Sequence, residues 1–290
     1  MEFRNYKDEY YNDLCDFLIE LNRYNKLHVN WNWARFEWMA EHPEFDKENA
    51  ASIGLWYDNG IIVGAAIYDM YFGEGFCAVL PGYEALYAEV LEYACSFLGD
   101  DDGFALALND KDASGLEAVM QAGFHPTDQY ETVMSLDLEN AERLCLPEDI
   151  HIEELDPAKQ AYDFQWLLWQ GFDHGTDRQE FECTEAIVPQ IRKHLYPRLS
   201  LAAVSSTDEK AGYCCLWHSS RTDYAYIEPV CTVPSYRGRG IAGALLCEDL
   251  RRASELGAKR AYVISDISFY EKLGFRKDQH YTFFRRKKGE

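Results

Sequence analysis

Residues 234–246 read PSYRGRGIAGALL, two arginines alternating with two glycines and an apolar run straight after. A segment of this kind is suited to holding an anion. The first amides of a helix have no intrahelical partner and sit at the positive end of its dipole. Glycines ahead of them let the backbone close on a bulky anion, and Arg237 and Arg239 add charge. The spacing Arg237-x-x-Gly240-x-Ala242 is read as an anion cradle that is neither the Walker loop nor the dinucleotide fingerprint.

Two aromatic clusters are the next candidates. NWNWARFEWM (30–39) holds Trp31 and Trp33, and WLLWQGFDHG (166–175) holds Trp169, Phe172 and His174. Aromatic walls with a few polar groups suit a small-molecule pocket. His, Cys, Asp and Glu nowhere cluster at metal-ligand spacing, so no metal is expected. The nine cysteines include no C-x-x-C pair and read as reduced thiols.

Charge narrows the partners. Residues 1–149 hold 30 Asp/Glu against 8 Lys/Arg, a net −22, while residues 150–290 hold 20 against 20. A half this acidic is a poor partner for nucleic acid or anionic lipid and attracts cations such as amines. No apolar run is long enough to span a bilayer. The N-terminus is polar from residue 2, without a signal-peptide core, and a cytoplasmic location is expected.

The turn needs a strand to enter it and a helix to leave it. AYIEPVCTV runs into it, residues 240–258 form an amphipathic helical pattern stopped at Gly257, AYVIS (261–265) reads as a buried strand, and SFYEKLG as a short helix capped at Gly274. This order occurs twice. AGFHPTDQY and LGFRKDQHY align Gly123, Phe124 and Tyr130 with Gly274, Phe275 and Tyr281 at an offset of 151, and Pro81 aligns with Pro234 at 153. Asn59-Gly60 marks a hairpin in the first half. The repeat predicts two α/β domains, 1–147 and 148–290, each a mixed, mostly antiparallel sheet flanked by helices. After Pro81, however, the first half reads GYEALYAEV, with Glu84 where the cradle should begin. A carboxylate there repels pyrophosphate, so one half is expected to hold the anion and the other not.

With FYEKLGF (269–275) downstream, the strand, turn and helix of the second half resemble the GCN5-related N-acetyltransferase (GNAT) superfamily, and the repeat resembles its tandem, two-domain type. The resemblance implies acetyl transfer from acetyl-CoA to a primary amine of a small molecule. It implies that the backbone at Cys231, Thr232 and Val233 bonds the pantetheine arm, and that amides of Arg237, Gly238, Arg239, Gly240, Ile241 and Ala242 hold the pyrophosphate. It places Tyr270 as the acid for the departing thiolate and Glu228 as the base for the amine. Trp31, Trp33, Trp169, Phe172 and His174 fall in the region of the family's acceptor-binding helices and loop. A non-catalytic acetyl-CoA-binding or regulatory protein is the alternative, and the pairing of Glu228 and Tyr270 with the cradle favours the enzyme. The stretch between AYVIS and Tyr270 is shorter than is usual in the family.

Overall fold

A computed structural model describes residues 1–42, 44–141, 144–183, 194 and 196–289. Two compact units form. The first comprises Met1–Ala40, Glu44–Val133 and Lys277–Glu290, and the second is mainly Met134–Arg276.

In the first unit, β1 (Glu2–Asn5), α1 (Tyr11–Tyr24) and α2 (Trp33–Ala40) lead into β2 (Gly54–Asp58), β3 (Ile61–Asp69) and β4 (Tyr71–Val79). The Asn59-Gly60 turn joins β2 to β3 with both residues at positive φ, 49° and 83°, as the twist of a two-residue hairpin demands. Then come α3 (Tyr87–Phe97), β5 (Phe104–Asn109), α4 (Ala113–Gln121) and β6 (His125–Asp137). Strand β4 is antiparallel to β3 and parallel to β5. Leu14, Leu18, Val63, Ala66, Val90 and Leu106 are among the side chains that close its core, each 1% exposed or less.

The second unit repeats the plan with β7 (Ile150–Glu154), α5 (Ala161–Gly171), α6 (Arg178–Glu182), β8 (Ser200–Ser205), β9 (Lys210–His218), β10 (Tyr224–Thr232), α7 (Ile241–Glu255), β11 (Arg260–Ile264) and α8 (Ser268–Glu271). Strands β7 to β10 are antiparallel neighbours, and β11 joins β10 in parallel. Helix α7 lays Ile241, Leu245, Leu246 and Leu250 into a core with Leu201, Cys214, Leu216 and Val263.

The compact units do not follow the two halves of the repeat. The last strand, β12 (Arg276–Arg286), belongs with the first unit and pairs antiparallel with β5 from Tyr281↔Asn109 to Arg286↔Phe104. In the second unit the neighbour of β11 is the end of β6, whose residues from Met134 onward fall there. The closing strands are exchanged, so a division at 147/148 separates the repeats while the packed units divide at 133/134 and 276/277. Both closing strands offer similar alternating faces, and local pattern does not say which sheet each will complete. Among the described residues no helix is long and apolar enough to cross a membrane.

Candidate functional site

Strands β10 and β11 pair only at Tyr224↔Arg260, Ala225↔Ala261 and Tyr226↔Tyr262. Beyond Tyr226 they part, while β10 stays bonded to β9 as far as Thr232↔Gly212. The register against β9 shifts between Ile227 and Val230. A bulge bends a strand and raises its twist, and Pro229, which has no N–H, sits inside it. The result is a wedge with one wall of β10 backbone.

Glu228 lies at the bulge and is half-buried. The Tyr226 hydroxyl donates to its carboxylate at 3.0 Å, and Trp217 Nε1 donates to its backbone carbonyl at 2.7 Å. Tyr270, on α8, is 7% exposed and packs edge-on against Phe269 and Phe275. Burial pushes its phenol above the ordinary range, and the charges of Cys214 and Glu228 push it the same way. The hydroxyl stays protonated at neutral pH and can donate. Tyr270 and Glu228 are thus brought within electrostatic reach of each other at the wedge.

The wedge strand ends in the glycine turn. Gly238 and Gly240 both adopt left-handed backbone, φ +75° and +78°, which explains the residue type. A Cβ at either would point into open space. The first intrahelical bond of α7 runs from Ala244 N–H to Gly240 O, so the amides of Ile241, Ala242 and Gly243 have no partner within the helix. This is the geometry of an anion cradle.

The arginine side chains are tied to neighbouring elements. Arg237 Nε donates to Thr232 O at 3.0 Å, and its Nη2 reaches Gly171 O at 3.0 Å and the Asp173 carboxylate at 2.9 Å. Arg239 is ion-paired with Asp149 and lies over the Tyr236 ring. Both charges are matched by nearby carboxylates, and the cradle is left to its amides and the helix dipole. Arg237 is a clamp, fixing the end of β10 to the end of α5. The same contact shows at Gly171, where a Cβ would meet Cys231 Sγ at 2.4 Å. Gly171 and Asp173 escaped the sequence reading because their partners lie some sixty residues away.

Of the strand residues expected to hold a pantetheine arm, Val233 N–H bonds Ala211 O at 3.0 Å and the Thr232 carbonyl serves Arg237. Cys231 is buried against α5, and burial lifts its thiol to about 12. Gly238-x-Gly240-x-x-Gly243 does spell the letters of the dinucleotide fingerprint. The topology sets that reading aside, since β10 is antiparallel to β9 and leaves β11 after three pairs, whereas a dinucleotide fold keeps a parallel sheet around that turn.

The aromatic candidates divide. Trp31 and Trp33 are core side chains of the first unit, 3% and 1% exposed, with Trp31 stacked on Phe76 at 5.3 Å; they do not form an open wall. Trp169 packs against His174 and Phe181, and Phe172 is 46% exposed. Arg237 holds the segment carrying Phe172 and His174 close to the end of β10.

Residues 198–277 match the family model described as an acetyltransferase (GNAT) domain. No curated protein matches the chain. Among solved structures, a tandem GNAT protein from the clavulanic acid biosynthesis pathway superposes with a TM-score of 0.65 at 16% identity, covering 100% of this chain and 99% of that one. A GCN5-related N-acetyltransferase from Sphaerobacter thermophilus gives 0.57 at 15% identity, over 99% and 95% of the two chains. A GNAT-family acetyltransferase from Colwellia psychrerythraea gives 0.57 at 13%, over 99% and 100%. The parted parallel pair, glycine turn and helix define a GNAT acetyltransferase fold. Residues 198–277 match the family's domain, and the chain as a whole shares the fold of the tandem GNAT structure it superposes on.

Proposed function

We propose that the second unit transfers acetyl from acetyl-CoA to a primary amine of a small molecule by direct attack. The observation that carries this reading is the open glycine turn, with partnerless helix amides, at the end of a strand that has parted from its parallel neighbour. The amides from Gly238 to Ala242 would hold the pyrophosphate, and the wedge would take the pantetheine arm. The bound cosubstrate supplies an activated thioester.

The chain's own residues must move two protons. An alkylamine is protonated near neutrality, with a pKa of about 10, and attacks only as the free base. Glu228, half-buried at the bulge, is placed to accept that proton directly or through water. A carboxylate of ordinary pKa, about 4.3, is a weak base for the task, so the pocket must also lower the amine's pKa by desolvation. Tyr270 keeps its hydroxyl proton and donates it toward the departing sulfur. Incubating the chain with acetyl-CoA and a panel of primary amines, with free thiol followed, tests the reading. Acceptor-dependent thiol release supports it; CoA binding without turnover on any amine would leave a binding protein.

A further inference from the structure

The first unit keeps a wedge of its own. Strands β4 and β5 pair only at Glu74↔Ala105 and Gly75↔Leu106 and then part. In the opening lies a cavity of about 170 Å³, walled by the β4 residues Cys77, Ala78 and Val79, the end of α1 and the start of α4. An internal cavity of about 150 Å³ holds a benzene ring, so this one is sized for a handful of heavy atoms and is far too small for a coenzyme.

Its mouth rejects anions. The Gly82 amide, in the turn after β4, donates to the Glu84 carboxylate at 2.9 Å. The protein's own anion thus occupies the amide, and Gly82 and Glu84 amides hold that carboxyl below its usual range. At the start of α4, Asp112 adds a second carboxylate. One of its oxygens accepts from Ser114 Oγ and Gly115 N–H at 3.1 and 3.0 Å, and the other accepts no hydrogen bond among the described residues.

The lining also carries Tyr87, Cys77 and the half-buried His28. Tyr87 is 8% exposed and Cys77 1%, and neither the Tyr87 hydroxyl, the Cys77 thiol nor the His28 ring has a hydrogen bond among the described residues. Burial pulls His28 down to about 4 against the opposing charge of Asp112, and lifts Tyr87 and Cys77 well above their ordinary values. At neutral pH the imidazole therefore offers an unprotonated nitrogen. A few polar groups on an otherwise apolar lining orient a small ligand.

We propose that this pocket binds a small primary amine as its ammonium ion, in a site separate from the acetyl-transfer wedge. Three N–H donors meet the free oxygen of Asp112, the bare nitrogen of His28 and the Tyr87 or Glu84 oxygens. The apolar body lies against Leu21, Leu27, Val79 and Ala118, which line the same cavity. The net −22 of residues 1–149 favours a cation over any anion. The proposal holds whether or not the second unit turns over.

Calorimetric titration of the full chain with benzylammonium at neutral pH, with benzyl alcohol as its uncharged twin, tests it. One saturable site for the cation is expected, with the alcohol much weaker. Asp112→Asn keeps the α4 cap, because Asn caps as well as Asp, and should weaken binding roughly 30-fold or more, the loss of a desolvated charge partner. Ala118→Phe should fill the pocket and abolish binding. Glu228→Gln, in the other unit, should leave it unchanged. Absence of saturable binding, equal affinity for the alcohol, indifference to Asp112→Asn in a protein of unchanged thermal unfolding, or loss in Glu228→Gln would each overturn the proposal.

Discussion

The two wedges differ most in the turn that follows each. After β10 the chain runs Gly238-Arg239-Gly240 with both glycines left-handed and open, and the helix amides have no partner. After β4 it runs Pro81-Gly82-Tyr83-Glu84, and the Gly82 amide is already bonded to a carboxylate of the chain. Both wedges arise in the same way, from a parallel pair that parts after two or three residues. Strand geometry makes the opening, and a turn of a few residues decides the sign of the charge admitted. The proposed anion and cation sites would thus share one strand geometry and differ in one turn.

The sharpest way to break this contrast is to make the two turns alike. Gly240→Glu puts a carboxylate into the open cradle, and titration with CoA should pass from one site per chain to none, with turnover lost. Gly240→Ala isolates the backbone component, since a non-glycine residue at φ +78° costs about 1–2 kcal/mol, and should only weaken binding. Two equivalent CoA sites in the parent protein would erase the distinction altogether.

A smaller effect separates catalysis from binding. At the position of Tyr270, the repeat offset of 151 gives Val119 in the first half. Tyr270→Phe should cut turnover by roughly 10²- to 10⁴-fold with little change in CoA affinity. Because burial, Cys214 and Glu228 all raise this phenol, its protonated form persists beyond the ordinary phenol pKa of about 10. The pH–rate profile of the parent should therefore show no loss of turnover near that pH from this group.

Glu228→Gln comes next, expected at roughly 10²-fold at pH 7. The deficit should shrink toward pH 10 as the amine deprotonates without help, and a variant as fast as the parent at pH 7 would return Glu228 to a strand residue bonded by Tyr226.

The mildest test concerns the cradle helix itself. Helix α3 buries Tyr87, Val90, Leu91 and Ala94, whereas α7 buries Asp249 at 0% exposure, its carboxyl against Cys214 without a hydrogen bond of good geometry to either oxygen. Burial raises this carboxyl well above its ordinary value. A raised folded-state pKa means stability that is fully present below about pH 4 and lost as pH rises. Asp249→Asn should gain about 1–3 kcal/mol at pH 8 and nothing below pH 4, read from thermal unfolding at the two pH values. A gain independent of pH would show that ionisation is not the cost.

The elements around the cradle were legible because their signals are local. Asn59-Gly60 dictates its hairpin by backbone conformation, and the glycines at 238, 240 and 274 do the same for turn and cap. The carboxylate that the Gly82 amide bonds in the first turn was visible in the sequence as Glu84. Long-range facts could not be read. Nothing near Arg237 in sequence says that its side chain will bond Asp173 and Gly171. The tryptophans at 31 and 33 looked like pocket walls, because a run of aromatics has the same composition whether it faces a ligand or a core. Pro229 was a signal available but unused, since a proline inside a strand that is paired on both sides marks an irregularity there.

The position of β12 bears on inheritance. Its pairing with β5 means that the last six residues of the final strand, Tyr281 to Arg286, complete a sheet begun some 170 residues earlier. Deleting everything after residue 147 would strip β5 of that partner and expose an unpaired edge, a template for aggregation. The half that carries the glycine turn therefore cannot be removed by a simple truncation without exposing the first sheet. Once the strands had crossed, the two copies became one unit of selection, free to diverge in their turns but not to part.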